Sequence, residues 1–310
     1  MRKNFSDGYN YVTIQCDYFG FEFMQDSNKV TIDLKTMGIE KFLNNEEFIF
    51  LNKNGSINVK KIFEISRKYN LPIMCNVELD ETLANFNDMG IMQAVDNITA
   101  ILIVSAILKD NEFNFNENKV VLLGQSHGAY ISYLCNAIAP NLISCIIDNS
   151  AWIFPKYLIN NRLLYQTFDN IRIYKEFSYL AKHIPYDEEI LNLSKLYDNY
   201  IGDCQVIAFH GTSDFLVSCE EKKNLINKIK GKVHYEEISD QKVDGEIFNS
   251  TSHGLGADFF NLFKYAENNI GISTKQNKFQ FCEYKKETKL YKYSIDYSSG
   301  VPVVNVYKKK

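Results

Sequence analysis

Short apolar runs alternate with longer amphipathic stretches along this chain. Apolar runs of five to nine residues that end in glycine or polar residues are typical of buried strands. The strands predicted in this way are "YVTIQCDY" (11–18), "LPIMCNVEL" (71–79), "KVVLL" (119–123), "LISCII" (142–147), "CQVIAFH" (204–210) and "KVHYEEI" (232–238). Strands that alternate with helices predict an α/β fold with a mostly parallel sheet flanked by helices.

Helical periodicity fills most of the intervals between these runs. Apolar residues recur at helical spacing near 59–68, over 88–109, after residue 126 and over 256–271. A further helix begins at a capping box, with Ser218 as N-cap and Glu221 three residues later, and Gly231 is predicted to close it. The functional groups of such a fold are expected at the carboxyl ends of the strands.

Residues 151–203 show no strand alternation and are predicted to form a helical lid insertion. Their tyrosines either line a substrate pocket or belong to an ordinary helical insertion packed on the core, and the second interpretation is preferred. The tyrosines concerned are Tyr157, Tyr165, Tyr174, Tyr179 and Tyr186.

The C-terminal residues predict a small antiparallel β addition. Tyr291, Tyr293, Ile295 and Tyr297 alternate with polar residues, and Ser-Ser-Gly follows as a hairpin turn. We therefore predict one α/β domain over 1–278 and a β-strand extension over 279–310.

Composition narrows the function classes. Of 310 residues, 45% are apolar and the net charge is −4, so a sizeable core is expected and nothing favours nucleic acid binding. The seven cysteines form no Cys-x-x-Cys pair, which favours reduced thiols in a cytoplasmic protein and no metal site.

The N-terminus lacks the apolar core of a signal peptide. The longest apolar run (98–108) is too short to span a bilayer, so no membrane span is predicted.

The segment "KVVLLGQSHGAYISYL" predicts a strand, a tight turn and a helix, with Ser126 at the turn. From Gly124 to Gly128 it matches Gly-x-Ser-x-Gly, a pattern in which serine occupies a strained strand-to-helix turn. The two glycines are expected because close strand–helix packing leaves no room for side chains there. Ser126 is therefore a candidate nucleophile, and the backbone N–H of His127 is a candidate oxyanion donor.

A serine hydroxyl is a weak nucleophile and needs a base. His253, in "STSHGLGADFF", follows the last predicted core strand and is the candidate base. Asp214, in "HGTSDFLV", follows the strand over 204–210, and its carboxylate can hold the imidazole in the required tautomer. Asp148, at the end of "LISCIID", is the second-ranked candidate for this acid. No cofactor is needed for such chemistry.

The segments around Ser126, Asp214 and His253 are "GQSHGA", "HGTSDFLV" and "SHGLGADFF". They resemble the signature regions of α/β-hydrolases, especially the esterase and prolyl-peptidase-like branch. "YVTIQCDYFG" is similar to the fourth strand of that fold, and "FNDMGIMQAVDNITAI" resembles an uncharacterised bacterial branch of the superfamily. The resemblance implies an α/β-hydrolase-like fold, with Ser126, Asp214 and His253 as its triad.

The chain departs from this pattern at its beginning. If 11–18 is the fourth strand, the family's first three strands are missing, together with the loop that donates the second oxyanion hydrogen bond. One explanation is a truncated product of a longer protein, and this one is preferred. The other places 11–18 in the third-strand position and 71–79 in the fourth, with the backbone at Phe19 or Gly20 as the missing donor.

Three functional hypotheses follow. The first is a serine hydrolase that cleaves an ester, thioester or amide in a small-molecule, peptide or other acyl substrate. The second is an acyltransferase or deacylase with the same triad. The third is a truncated, non-catalytic hydrolase-fold protein, completed by an N-terminal segment of another polypeptide. The C-terminal strands either pack on the sheet or mediate self-association into a homo-oligomer.

Overall fold

The computed structural model describes residues 2–24, 29–55 and 57–309. Its strands are β1 (Val30–Ile32), β2 (Ile73–Val77), β3 (Val121–Gln125), β4 (Cys145–Asn149), β5 (Arg162–Phe168), β6 (Ile171–Phe177), β7 (Gln205–Gly211), β8 (Val233–Ile238), β9 (Glu283–Glu287), β10 (Tyr291–Asp296) and β11 (Val303–Lys308). Its α-helices are α1 (Arg2–Tyr9), α2 (Leu34–Met37), α3 (Asn45–Asn54), α4 (Val59–Tyr69), α5 (Ile91–Asp110), α6 (His127–Ile138), α7 (Glu188–Leu191), α8 (Leu193–Leu196), α9 (Cys219–Ile226) and α10 (Phe259–Tyr265).

The chain divides into two compact units. The first contains the residues up to 19, 88–155 and those from 186 onward, and the second contains 20–87 and 156–185. The predicted division of the chain into 1–278 and 279–310 stays a prediction.

The core of the first unit is a four-stranded parallel sheet in the order β3-β4-β7-β8. β4 and β7 are buried along their whole length, as expected for central parallel strands with continuous apolar sequences. Because β3, β4 and β7 are in parallel register, Gln125, Asn149 and Phe209 lie side by side near their carboxyl ends. The helices α5 and α6 pack against each other, and α6 packs on β3 and β4. This confirms the predicted α/β fold, with a mostly parallel sheet flanked by helices.

The C-terminal strands β9, β10 and β11 form the predicted small antiparallel sheet. Buried hydroxyl groups fix it to the rest of the first unit. Thr288 Oγ1 and Tyr293 Oη both donate to Asp187 Oδ2, at 2.5 and 3.1 Å, and Tyr297 Oη donates to the carbonyl oxygen of Ile138 at 2.9 Å. Asp187 also caps α7, so one carboxylate serves a helix and the added sheet.

The second unit contains a mixed sheet in the order β1-β2-β6-β5. The helical prediction for 151–203 is therefore wrong over 162–177, where β5 and β6 form a hairpin. Its turn is Asp169-Asn170, with φ values of 48° and 64°. Two consecutive residues with positive φ make the hairpin turn that matches the twist of the strands.

The prediction of a strand over 11–18 is also wrong, because these residues are in neither a helix nor a strand. The segment runs past β3 in the same direction. The Nζ of Lys119, before β3, lies 5.1 Å from the ring centroid of Tyr11, and the ring centroids of Tyr18 and His127, after β3, are 5.9 Å apart. Side chains of α5 hold its end, since Phe19 donates its N–H to Asp96 Oδ2 at 2.7 Å.

The apolar run over 98–108 lies within the 20-residue α5, and the bounds of this helix agree with the helix predicted over 88–109. By length and composition alone, α5 is sufficient to cross a membrane, so the argument that the run is too short is wrong. A core helix passes the same test, and 33% of the apolar window of α5 is buried, including Ile98, Ile101 and Leu102. The α9 helix has the predicted capping box but ends at Ile226, before Gly231.

Candidate active site

Ser126 lies at the sharp turn between β3 and α6. Its φ of 55° and ψ of −116° place a non-glycine residue in a conformation that L-residues rarely adopt. The turn is held by a hydrogen bond from the N–H of Ser126 to the carbonyl oxygen of Asn149, at 2.8 Å. Backbone strain of this kind is typical of functional sites, where surrounding structure maintains it.

The two glycines beside Ser126 differ in their surroundings. A Cβ atom on Gly124 would lie 2.5 Å from the backbone nitrogen of Ala129, whereas one on Gly128 would meet no atom within 4 Å. The expectation that packing excludes side chains therefore holds for Gly124 and is wrong for Gly128.

This difference predicts opposite effects on stability. We expect Gly124→Ala to lower the free energy of unfolding by about 1–3 kcal/mol, because backbone atoms must move to admit the methyl group. Gly128→Ala is expected to leave it unchanged or raise it by up to about 0.5–1 kcal/mol, because alanine restricts the unfolded chain more than glycine does. Urea unfolding of both variants measures the difference. Equal losses of stability would contradict the steric argument.

Asp214 lies in the loop after β7. Its Oδ1 accepts hydrogen bonds from the backbone N–H groups of Leu216 and Val217, at 2.9 and 3.1 Å, which fixes the orientation of the carboxylate. The strand before it ends at Gly211, where a Cβ atom would collide with the carbonyl oxygen of Thr251. The glycine thus lets this loop approach the loop that carries His253.

The loop after β8 brings His253 to the same edge of the sheet. The buried Nδ2 of Asn149 donates to the carbonyl oxygen of Gly254 at 3.1 Å, so the end of β4 holds the backbone beside the imidazole. Gly254 has a φ of 79°, and a Cβ atom there would lie 2.6 Å from Nε2 of Gln125. Asn149 was not found from the sequence, since an asparagine after a strand is common in turns.

The structure brings Ser126, His253 and Asp214 together in one chain of hydrogen bonds. His253 Nδ1 lies 2.8 Å from Asp214 Oδ2, and His253 Nε2 lies 2.7 Å from Ser126 Oγ. An ionised carboxylate can only accept, so Nδ1 of a neutral His253 carries the proton and Nε2 accepts from the serine hydroxyl. This is the tautomer that a general base needs.

The environment keeps Asp214 ionised. Burial raises the pKa of Asp214, but the hydrogen bond and charge of His253, together with the N–H of Val217, outweigh it and leave the pKa below its usual value. The carboxylate side chain has no exposed surface, and that of His253 is 13% exposed. The acid end of this hydrogen-bond chain is thus closed to solvent, and the imidazole and Ser126 are partly buried.

Asp148, the second candidate for the acid, has other partners. Its Oδ2 accepts from Lys222 Nζ at 2.7 Å and from Tyr133 Oη at 2.8 Å, and its Oδ1 accepts from the N–H of Ala151 at 2.7 Å. Lys222 and Asp148 form an ion pair with no exposed side-chain surface. Asp148 therefore compensates a buried charge, and its role as an alternative acid is not supported.

His127 begins α6, where backbone N–H groups of the first turn have no acceptor within the helix. Its ring is 5% exposed and stacks on Trp152, with centroids 4.8 Å apart. The proposed second donor at Phe19 is engaged elsewhere, since its N–H bonds to Asp96. Gly20, the other proposed donor, belongs to the second unit and stays a prediction.

The tyrosines predicted for a pocket fall into separate groups. Tyr179 is buried, and its ring packs near Tyr157 with centroids 6.1 Å apart. Tyr165 and Tyr174 face each other across the β5–β6 hairpin, and Tyr186 packs near Phe154. Their grouping does not support one common pocket. Among residues 2–24, 29–55 and 57–309, no three His, Cys, Asp or Glu side chains are close enough to hold a metal ion.

Comparison with protein families gives one match. A family described as "Protein of unknown function (DUF2920)" matches residues 22–184, which is more than half of the chain. The match includes Ser126, whereas Asp214 and His253 lie beyond it. No curated protein matches the sequence.

Similar solved structures are hydrolases. A puromycin-hydrolysing peptidase of Mycobacterium tuberculosis is 14% identical over 53% of this chain and 23% of its own, with a TM-score of 0.36. An esterase domain of Rhodothermus marinus is 13% identical over 70% and 80% of the two chains (TM-score 0.34). Est1E of Butyrivibrio proteoclasticus with bound ferulic acid is 13% identical over 55% and 66% (TM-score 0.33). This chain thus spans less than a quarter of the peptidase's length, and the likeness carries no argument about activity.

Proposed function

The chain belongs to the DUF2920 family, and we propose that it is a serine hydrolase that cleaves an ester, thioester or amide through Ser126, His253 and Asp214. The observation that carries the proposal is the continuous hydrogen-bond chain from Ser126 Oγ through the imidazole to Asp214. Each member comes from a different loop at the carboxyl edge of one parallel sheet, so the arrangement is produced by the fold.

The geometry supports a two-step acyl transfer to water. Ser126 Oγ attacks the carbonyl carbon while His253 Nε2 takes the hydroxyl proton, and the ionised Asp214 stabilises the imidazolium. The N–H of His127 donates to the oxyanion of the tetrahedral intermediate. The imidazolium then protonates the leaving group, and the acyl-serine remains. Water, deprotonated by the same nitrogen, hydrolyses the acyl-serine and restores the serine hydroxyl.

The N–H of His127 is the one proposed oxyanion donor, because the N–H of Phe19 bonds to Asp96. One donor fewer costs ~10²–10³ in rate, so turnover should be easiest to detect with good leaving groups. Short-chain p-nitrophenyl esters and acyl thioesters are therefore the substrates of choice for a first assay.

We keep the cytoplasm as the proposed location, because all seven cysteines are free thiols and four of them are buried.

A fluorophosphonate probe tests the function directly. We expect the folded full-length chain to react with it, and mass spectrometry of the digested product to find the probe on the peptide that contains Ser126. Heat-denatured protein is the control, since an isolated serine hydroxyl has no base. A folded chain that neither reacts with the probe nor hydrolyses activated esters would overturn the proposal.

A further inference from the structure

His210 is a fully buried histidine near the end of β7, four residues before Asp214. Its Nε2 lies 2.9 Å from the carbonyl oxygen of Val217. A carbonyl oxygen can only accept, so Nε2 carries the proton and donates it to Val217. The imidazole therefore connects the end of the strand to the far side of the loop that holds Asp214.

The same loop residue connects His210 to the carboxylate. Val217 accepts from His210 with its carbonyl oxygen and donates its own N–H to Asp214 Oδ1. The Nε2 of His210 also lies 3.8 Å from Asp214 Oδ2, the oxygen that faces His253. The N–H is thus bonded to the loop and lies close to the carboxylate.

His210 does this as a neutral group. Burial lowers the pKa of His210, and the charge of Lys222 lowers it further; the charge of Asp214, the hydrogen bond to Val217 and the charge of Asp148 oppose this effect without reversing it. Lys222 is itself paired with Asp148 at 2.7 Å. Nδ1 of His210 has no hydrogen-bond partner among the described residues. The N–H donated to Val217 is therefore the side chain's polar contact in this environment.

We propose that His210 is a positioning residue that holds residues 214–217 so that Asp214 Oδ2 faces His253 Nδ1. The proposal rests on the proposed function of these side chains. His210 has no exposed surface and cannot touch a substrate, so it acts through Asp214. Its effect should appear in kcat and leave KM unchanged, because the substrate surface is not altered.

Two substitutions of His210 with amide side chains test this, because they place the amide nitrogen at different positions. In His210→Gln the amide nitrogen reaches the position of Nε2 and can donate to Val217. In His210→Asn it reaches only the position of Nδ1, so the carbonyl of Val217 loses its donor. We expect His210→Gln to react with the fluorophosphonate within about threefold of the wild type and His210→Asn to react roughly 10–100-fold more slowly, since a misplacement of about 1 Å can cost ~10²-fold.

A readout independent of turnover separates this proposal from the proposed function. The proton shared by His253 Nδ1 and Asp214 should give a downfield proton resonance in the wild type and in His210→Gln, and His210→Asn should lose it. If the wild type and His210→Gln show the resonance, His210→Asn loses it, and none of the three reacts with the probe, the proposed function fails and the positioning role stands. Equal reaction rates and resonances in both variants, at equal thermal stability, would overturn the positioning role.

Discussion

Replacement of Ser126 with alanine is expected to abolish reaction with a fluorophosphonate and to lower kcat for activated esters by up to ~10⁶-fold. The hydroxyl oxygen of Ser126 lies 2.7 Å from His253 Nε2, and alanine removes the atom that attacks the carbonyl carbon. The fold should be unaffected, because the strained turn is held by backbone hydrogen bonds to Asn149 and from Tyr130. Thermal unfolding of the variant checks this point.

A second serine, in the helix that follows Ser126, is the matched control. Ser132 Oγ donates to the carbonyl oxygen of Gly128 at 3.0 Å, within α6. Ser132→Ala removes a hydroxyl of the same kind six residues away and should leave the reaction rate unchanged. An unlabelled Ser132→Ala, or a Ser126→Ala protein that still accepts one equivalent of probe, would mean that Ser126 is not the nucleophile.

The parts of the site that lie close together in sequence could be predicted. The turn at Ser126 follows from one apolar strand, two glycines and one helix. The capping box of Ser218 and Glu221 forms with both of its hydrogen bonds, since each depends on residues only three positions apart. Parallel strands then bring the ends of β3, β4 and β7 to one edge. The alternation of strands and helices therefore predicts that Ser126, Asp214 and His253 lie on one side of the molecule.

The segment over 11–18 shows where such reasoning fails. Its alternating apolar residues resemble a strand, but a strand also needs a neighbour with matching hydrogen-bond groups. At Phe19 these groups are taken by side chains of α5, because Asp96 accepts from the N–H and Gln93 donates to the carbonyl oxygen. Nothing in the sequence indicates that two polar residues of a later helix would compete with a sheet for this backbone.

The hairpin over 162–177 was missed in the sequence for a different reason. Its turn has Asp169 and Asn170 where glycine is usual, so the strongest short-range hairpin signal is absent. The pairing that places it in a sheet is also distant in sequence, since β6 pairs in parallel with β2, with Cys75 opposite Lys175. Contacts of that separation leave no local pattern. The network around Lys222 was missed likewise, since its partner Asp148 lies 74 residues earlier.

Replacement of Asp214 with asparagine is expected to lower kcat by about 10⁴-fold without loss of stability. Two backbone N–H groups donate to Oδ1, so the amide oxygen of the substituted side chain must remain there and its NH₂ group must face His253. That group donates to Nδ1, which then carries no proton, and Nε2 becomes the protonated nitrogen. An Nε2–H donates towards Ser126 Oγ and cannot take its proton.

Asp148→Asn is the matched control, because it makes the same chemical change at the other candidate acid. Here either orientation of the amide places its nitrogen against a donor, Lys222 Nζ or the N–H of Ala151, and a buried ammonium loses its compensating carboxylate. Breaking a buried ion pair in this way costs about 3–5 kcal/mol, so the thermal midpoint should fall. Probe reaction per folded molecule should stay at the wild-type rate, because Asp148 contacts neither Ser126 nor His253.

The two variants are therefore expected to have opposite effects on the reaction rate and on the midpoint of unfolding. Asp214→Asn should change the reaction rate and preserve the midpoint of unfolding, and Asp148→Asn should do the reverse. Rates must be compared at a temperature where both variants are folded, since an unfolded fraction would imitate a catalytic loss. If Asp148→Asn slows the reaction of folded protein as much as Asp214→Asn does, the acid was assigned to the wrong strand. A fast Asp214→Asn protein would show that His253 keeps its tautomer without the carboxylate.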